Sequence, residues 1–101
     1  MPAYLLFIRE GAVKDPTAMM DYQMAMQANG PRAPMNPLIV YGGTTPIEGT
    51  APDGVVLLQF DNAADANAWY HSAEYEAARQ HRFKAADYRV MLIEGFTMPG
   101  Q

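Results

Sequence analysis

Few side chains in this sequence are able to do acid, base or anion chemistry, and four stand out: Arg82, His81, Glu94 and Glu48. Arg82 offers a planar, permanently charged fork suited to a carboxylate or another anionic group. His81 is one of two histidines, the side chains that titrate near neutral pH. Glu94 ends an otherwise apolar run and Glu48 sits beside Gly49. Enclosed near Arg82, Tyr22 and His81, either carboxylate is a candidate catalytic base. The plainer alternatives are that a strand-end carboxylate is simply solvated, or that Arg82 pairs with Glu94 or Glu48. Tyr22, Tyr41, Trp69, Tyr70 and Tyr75 are the aromatic groups expected to line a ligand pocket, although a single tryptophan commonly just plugs a core.

Other constellations are weaker. His71 and His81, ten residues apart, fall on different sides of a continuous helix, and a break at Ser72 separates them further. His71 and Glu74 have helical i, i+3 spacing but no third ligand nearby, so no metal site is expected. The methionines of the first helix have the spacing of core filling rather than of a soft-metal site. Pro2 follows Met1, so its nitrogen is an amide and no proline base is expected. The chain has no cysteine, which excludes disulfides, thiolate metal sites and cysteine nucleophiles. No cofactor is implied.

These residues must be positioned by a single small domain. The 101 residues leave room for one core, expected over 1–96, with 97–101 as a C-terminal tail. Half the residues are hydrophobic and 18% are charged, a composition that folds. The net charge of −4 gives no electrostatic footprint for a phosphate backbone, so nucleic acid is disfavoured as a partner. There is no basic amphipathic helix for a membrane surface, no run long enough to span one and no signal-peptide pattern. A cytoplasmic location is the expectation.

Residues 4–8 read as a strand. Asp15-Pro16 opens a helix, with Met19, Tyr22 and Met26 along one stripe and Met20 and Met24 beside it. Asn29-Gly30 ends that helix, and Pro31, Pro34 and Pro37 keep the following segment out of a helix or central strand. Residues 38–41 form a second strand, which 47–49 is expected to prolong after a bend, and 55–60 form a third. Asn62 with Asp65 resembles a capping box. Ser72 looks like a fresh cap, so the second helix breaks and restarts there. Residues 88–93 form the last strand. The order β-α-β-β-α-β predicts an α+β, ferredoxin-like fold: an antiparallel sheet with two helices on one face.

Helices on one face leave the other open, and strands with one wet face alternate apolar and polar residues. These strands do not. Tyr4, Leu6 and Ile8 oppose Leu5 and Phe7; Val55 and Leu57 oppose Val56, Leu58 and Phe60; Met91 and Ile93 oppose Tyr88, Val90 and Leu92. Large side chains contribute about 1.5–3 kcal/mol each when buried, so an open face of this kind predicts a partner. A homodimer with the two sheets face to face is the simplest cover.

The chain also resembles the bacterial domain-of-unknown-function family thirteen-thirty, within the dimeric α/β-barrel superfamily. The matching stretches are Met1-Pro2-Ala3-Tyr4, Asp15-Pro16 with Tyr22, and Glu48-Gly49. The most specific is Trp69-Tyr70-His71-Ser72-Ala73-Glu74-Tyr75, followed by Arg82 and Leu92-Ile93-Glu94-Gly95. Family members usually carry proline where Ala73 stands, and an arginine-glycine-glycine at the second strand where this chain has Tyr41-Gly42-Gly43. The resemblance implies the fold and a face-to-face homodimer but no established reaction. Two functional classes follow. One is a cofactor-independent enzyme on a small organic substrate, using Arg82 as anchor and a Glu or His for proton transfer. The other is a non-catalytic ligand-binding or accessory dimer.

Overall fold

The chain runs β1 (Ala3–Arg9), α1 (Pro16–Asn29), β2 (Met35–Val40), β3 (Gly54–Phe60), α2 (Ala63–Tyr70), α3 (Ala73–Ala85) and β4 (Tyr88–Glu94). This is a computed structural model, and it describes residues 1–29 and 35–96. The strands form one antiparallel sheet in the order β2-β3-β1-β4, the ferredoxin-like arrangement expected from the sequence. β2 is an edge strand, which tolerates Pro37, and its pairing with β3 shifts register between Pro37 and Ile39.

Register sorts the side chains into two faces. Leu5, Phe7, Leu58 and Phe60 are buried with Ala66, Tyr75 and Ala78 of the helices, and Val56, Tyr88 and Val90 pack against them. On the other face Leu6 lies opposite Leu57 and Met91, Tyr4 opposite Gln59 and Ile93, and Ile8 opposite Val55 and Arg89. Ile39 extends this row from β2, opposite Leu57. Ile39 and Ile93 are 40% and 42% exposed, so part of the expected apolar face is open in the single chain.

Local signals fix the helices. The Ala18 amide donates to Asp15 Oδ1 at 3.1 Å, capping α1. The Asn62 side chain accepts from the Asp65 amide at 2.8 Å and opens α2. At the break, Ser72 Oγ donates to the Trp69 carbonyl and accepts from the Tyr75 amide, so one hydroxyl ends α2 and starts α3. The start of α1 is tied to the end of α3: the Lys14 and Asp15 amides both donate to the Ala85 carbonyl, at 2.7 and 3.2 Å. Ala18 and Met19 are buried there against Ala85 and Ala86, while Met20 and Met24 point outward.

One expected strand extension is absent. Residues 47–49 make bends, not strand, and Ile47 is 90% exposed. The chain leaves the sheet at Tyr41, whose φ of 52° lies in the left-handed region and ends β2. At the other end of the sheet the Gly95 amide donates to the Pro2 carbonyl at 2.7 Å, and a Cβ at Gly95 would lie 2.7 Å from that same oxygen. That close approach accounts for a glycine at this position. Gly30, Pro31 and Pro34, and the tail from 97, lie outside the described residues. No described helix is long and apolar enough to cross a membrane.

Candidate functional site

α1 docks on α3 rather than lying flat on the sheet, and a cavity of about 340 Å³ opens beneath it. Tyr22, Gln23, Met26 and Gln27 of α1 form one wall. Phe7, Met35, Pro37, Val40, Val56 and Leu58 form the floor, Tyr41 stands at the end of β2, and Arg82 and Tyr88 complete the lining. This volume falls at the low end of the roughly 300–1,000 Å³ spanned by small-molecule sites.

Arg82 is the unusual member. It is 3% exposed, as buried as Phe7. Its Nη2 donates to the Tyr70 hydroxyl at 3.3 Å, and its enclosed Nε has no hydrogen-bond partner. The guanidinium lies over the rings of Tyr88, Phe83 and Phe7 at 5.1, 5.2 and 5.5 Å. Ion pairs among the described residues join Lys14 to Asp87 and Arg89 to Glu10; Arg82 is in neither. A buried guanidinium held by phenols and rings has lost its water without gaining a counter-charge among the described residues, which is costly.

Phenolic hydroxyls surround it. Tyr22 and Tyr75 share a 2.9 Å hydrogen bond, and Tyr41 and Tyr88 one of 2.6 Å. Burial raises the Tyr22 hydroxyl well above the ordinary tyrosine range, and the adjoining Tyr75 pushes the same way. Burial also raises Tyr75, opposed by the positive charge of Arg82. Tyr41 is raised by burial and then by its bond to Tyr88. All three therefore remain neutral at physiological pH, and in each linked pair one hydroxyl hydrogen is committed to the bond between the two phenols. Behind them, the Trp69 ring stacks on Tyr75 at 4.2 Å and leans on Phe60 at 5.7 Å, and Tyr70 meets Tyr75 at 5.3 Å.

The residues singled out in the sequence thus divide. Arg82, Tyr22 and Tyr41 line the cavity, while Tyr70 and Tyr75 hold Arg82 and Tyr22 from behind; Trp69 packs in the core. The other three candidate groups are not brought there. Glu94 lies opposite Ala3, at the far end of β4 from Tyr88. Six residues of strand place it roughly 20 Å away. Glu48 is exposed in the 41–53 connection, and His81 is half-buried on α3 but does not line the cavity. The expected pairing of Arg82 with Glu94 or Glu48 does not occur, and no described carboxylate or imidazole lines the cavity. His71 is exposed, and no group of three metal-binding side chains occurs among the described residues. Tyr88, Met26, Met35 and the two glutamines were not anticipated. Tyr88 carried a signal, since it shares a strand face with Val90, but nothing in the sequence joined it to Tyr41.

Fold and site together define a ferredoxin-like α+β domain with a largely apolar pocket under its first helix, lined among the described residues by one buried cation and by phenols. The chain belongs to the DUF1330 family, a domain of unknown function, which matches residues 2–96. Among solved structures it is similar to a Rhodopseudomonas palustris protein of unknown function in its methylated form. The two share 17% identity with a TM-score of 0.70, over 99% of this chain and 84% of that one. A protein from Bacteroides fragilis, described as dimeric with a ferredoxin-like fold, matches with 14% identity and a TM-score of 0.60. That match covers 93% of this chain and 96% of the other. An ethyl tert-butyl ether D family protein from Bacillus halodurans matches with 17% identity and a TM-score of 0.59, over 95% and 100%. At these identities the likeness is one of fold. No curated protein matches the chain.

Proposed function

We propose that this protein is a homodimer, paired sheet to sheet, in which each subunit binds one small organic molecule beneath α1. The observation that carries the binding reading is the cavity itself: it is open, largely apolar, and has a buried guanidinium and neutral phenols among its walls. The dimer reading is supported by the open sheet face centred on Leu6 and Leu57 and by the dimeric description of the Bacteroides fragilis protein. Light scattering is expected to give twice the 11.2 kDa chain mass, and a single-chain mass at micromolar concentration removes the dimer. A thermal-shift screen against a metabolite library, followed by crystallography of the hits, tests the pocket. A hit seated elsewhere, or no stabilising compound at all, removes it.

One observation favours a second reading, a cofactor-independent enzyme. Neutral hydroxyls beside a buried guanidinium are the arrangement that stabilises a developing oxyanion. The lack of a carboxylate or imidazole among the described lining residues weighs against proton abstraction by this subunit and puts binding first. Transfer of solvent deuterium into a bound hit, followed by NMR, separates the two: exchange supports catalysis and its absence supports binding alone.

A further inference from the structure

We propose that the ligand of this pocket is a small monocarboxylate with an apolar body, its carboxylate seated against Arg82. The proposal rests on the small-molecule reading above and deepens it by naming the class. Three features carry it.

The first is an uncompensated charge. Arg82 is nearly as buried as any side chain in the fold, its Nε has no partner, and its described hydrogen bonds go to the phenols of Tyr70 and Tyr75 rather than to a carboxylate. An anion entering the cavity supplies the missing counter-charge, and it does so where low polarity strengthens the pair.

The second is number. Arg82 is the one cation among the described lining residues, so it matches one negative charge. A phosphate monoester brings between about 1.5 and 2 charges and three acceptor oxygens, which one guanidinium leaves under-compensated. The planar guanidinium fork suits the two oxygens of a carboxylate. The Tyr22 hydroxyl, linked to that of Tyr75, stands in the same lining as a polar neighbour.

The third is the remainder of the lining. The rest of the lining is mainly apolar, with Phe7, Met26, Met35, Val56 and Leu58 set against Gln23 and Gln27 of the α1 wall. Such walls reward an aliphatic or aromatic body over a sugar or polyol, whose many hydroxyls face a mostly apolar surface.

The test compares isosteres on the unaltered full-length protein by calorimetry and thermal shift. Phenylacetate and octanoate are set against phenylacetamide and octanamide, which keep the body and remove the charge. The carboxylates are expected to bind at least about tenfold more tightly, a difference of about 1.4 kcal/mol. Arg82→Met is expected to abolish that preference and Arg82→Lys to retain part of it. If Arg82→Met does not fold, the isostere comparison decides alone. Equal affinity for acid and amide overturns the anion assignment and leaves the pocket reading intact. A carboxylate preference undiminished in a folded Arg82→Met also overturns it. If neither series binds and the metabolite screen is also silent, both readings fall together.

Discussion

The hydroxyls of Tyr22 and Tyr75 meet at 2.9 Å, joining α1 to α3 across 53 residues of sequence. Their rings sit edge to face, 6.3 Å apart. With the Ala85 carbonyl holding the start of α1, this contact is the second point at which the helix is pinned to α3. Past it, Met26 and Gln27 form a wall over the sheet. The cavity therefore exists because α1 is held by its neighbouring helix rather than by the strands below.

Removing the Tyr22 hydroxyl tests that pin. Tyr22→Phe keeps the ring and loses the bond, and leaves Tyr75 with Arg82 and Tyr70 as polar neighbours. The expected loss of stability is about 0.5–1.5 kcal/mol in urea unfolding, the usual net value of one such bond. Slowed amide exchange in α1 should relax in the same variant, while β1 and β3 keep their protection. Unchanged exchange in α1 would show that the helix does not depend on this contact.

Alkaline pH probes the same hydroxyls. Tyr22, Tyr41 and Tyr75 all have folded-state values raised above the ordinary tyrosine value of 10.0. The unfolded chain then releases protons from these phenols first, so the folded state holds more protons and stability falls as pH rises. The loss should begin near pH 10 and continue upward, with nothing lost from these groups below about pH 9. Tyrosinate absorbance near 295 nm and far-ultraviolet circular dichroism are the measurements. A late step of tyrosinate absorbance should coincide with loss of helix signal. Smooth ionisation of all six tyrosines with the fold intact contradicts this account.

Gly54 sits under Tyr41. A Cβ there would lie 3.0 and 3.1 Å from the Tyr41 ring carbons and 3.5 Å from Arg9 Cβ. Gly54→Ala should therefore push the ring aside, breaking the 2.6 Å link to Tyr88 at the edge of the cavity. The fold should lose about 1–3 kcal/mol, as overpacked sites do. Gly43→Ala, where nothing lies within 4 Å, should be neutral and serves as the control. A crystal structure of Gly54→Ala with Tyr41 unmoved would refute the coupling.

The sequence made the local decisions readable because their causes are local. Asp15, Asn62 and Ser72 each cap the helix they were expected to open, since a short polar side chain reaches amides two or three residues on. Strand faces were equally readable, because the period of two does not depend on which strand lies alongside. The site was less so. Arg82, Tyr22 and Tyr41 were found by residue type, but Glu94 and Glu48 were grouped with them although only register and loop path decide where a strand end falls. Glu94 lands opposite Ala3 and Glu48 in an exposed connection. The expected strand at 47–49 failed for a related reason: Tyr41 takes a left-handed turn that a β-propensity reading gives no cause to expect. The Tyr41–Tyr88 and Tyr22–Tyr75 contacts are purely tertiary and had no sequence signal at all.

The open sheet face yields the last prediction. Leu57 lies opposite Leu6 on one side and Ile39 on the other, at the centre of an apolar row bounded by Gln59 and Asn36 at one end and Arg89 at the other. The Asn36 side-chain amide donates to Gln59 Oε1 at 3.4 Å across the strands, so the boundary of the row is polar while its centre is apolar. Leu57→Asp places a carboxylate there. In a face-to-face dimer that charge is buried against its own copy, a cost of several kcal/mol that sheet-to-sheet packing does not offset. In a lone subunit the same carboxylate keeps contact with water, and the helix-side core of Leu5, Phe7, Leu58 and Phe60 is untouched. The variant should thus remain folded by circular dichroism and drop to the 11.2 kDa mass of one chain in light scattering. Gln59→Glu, at the polar edge of the row, should leave the mass doubled. A dimer that survives Leu57→Asp must be built on another surface.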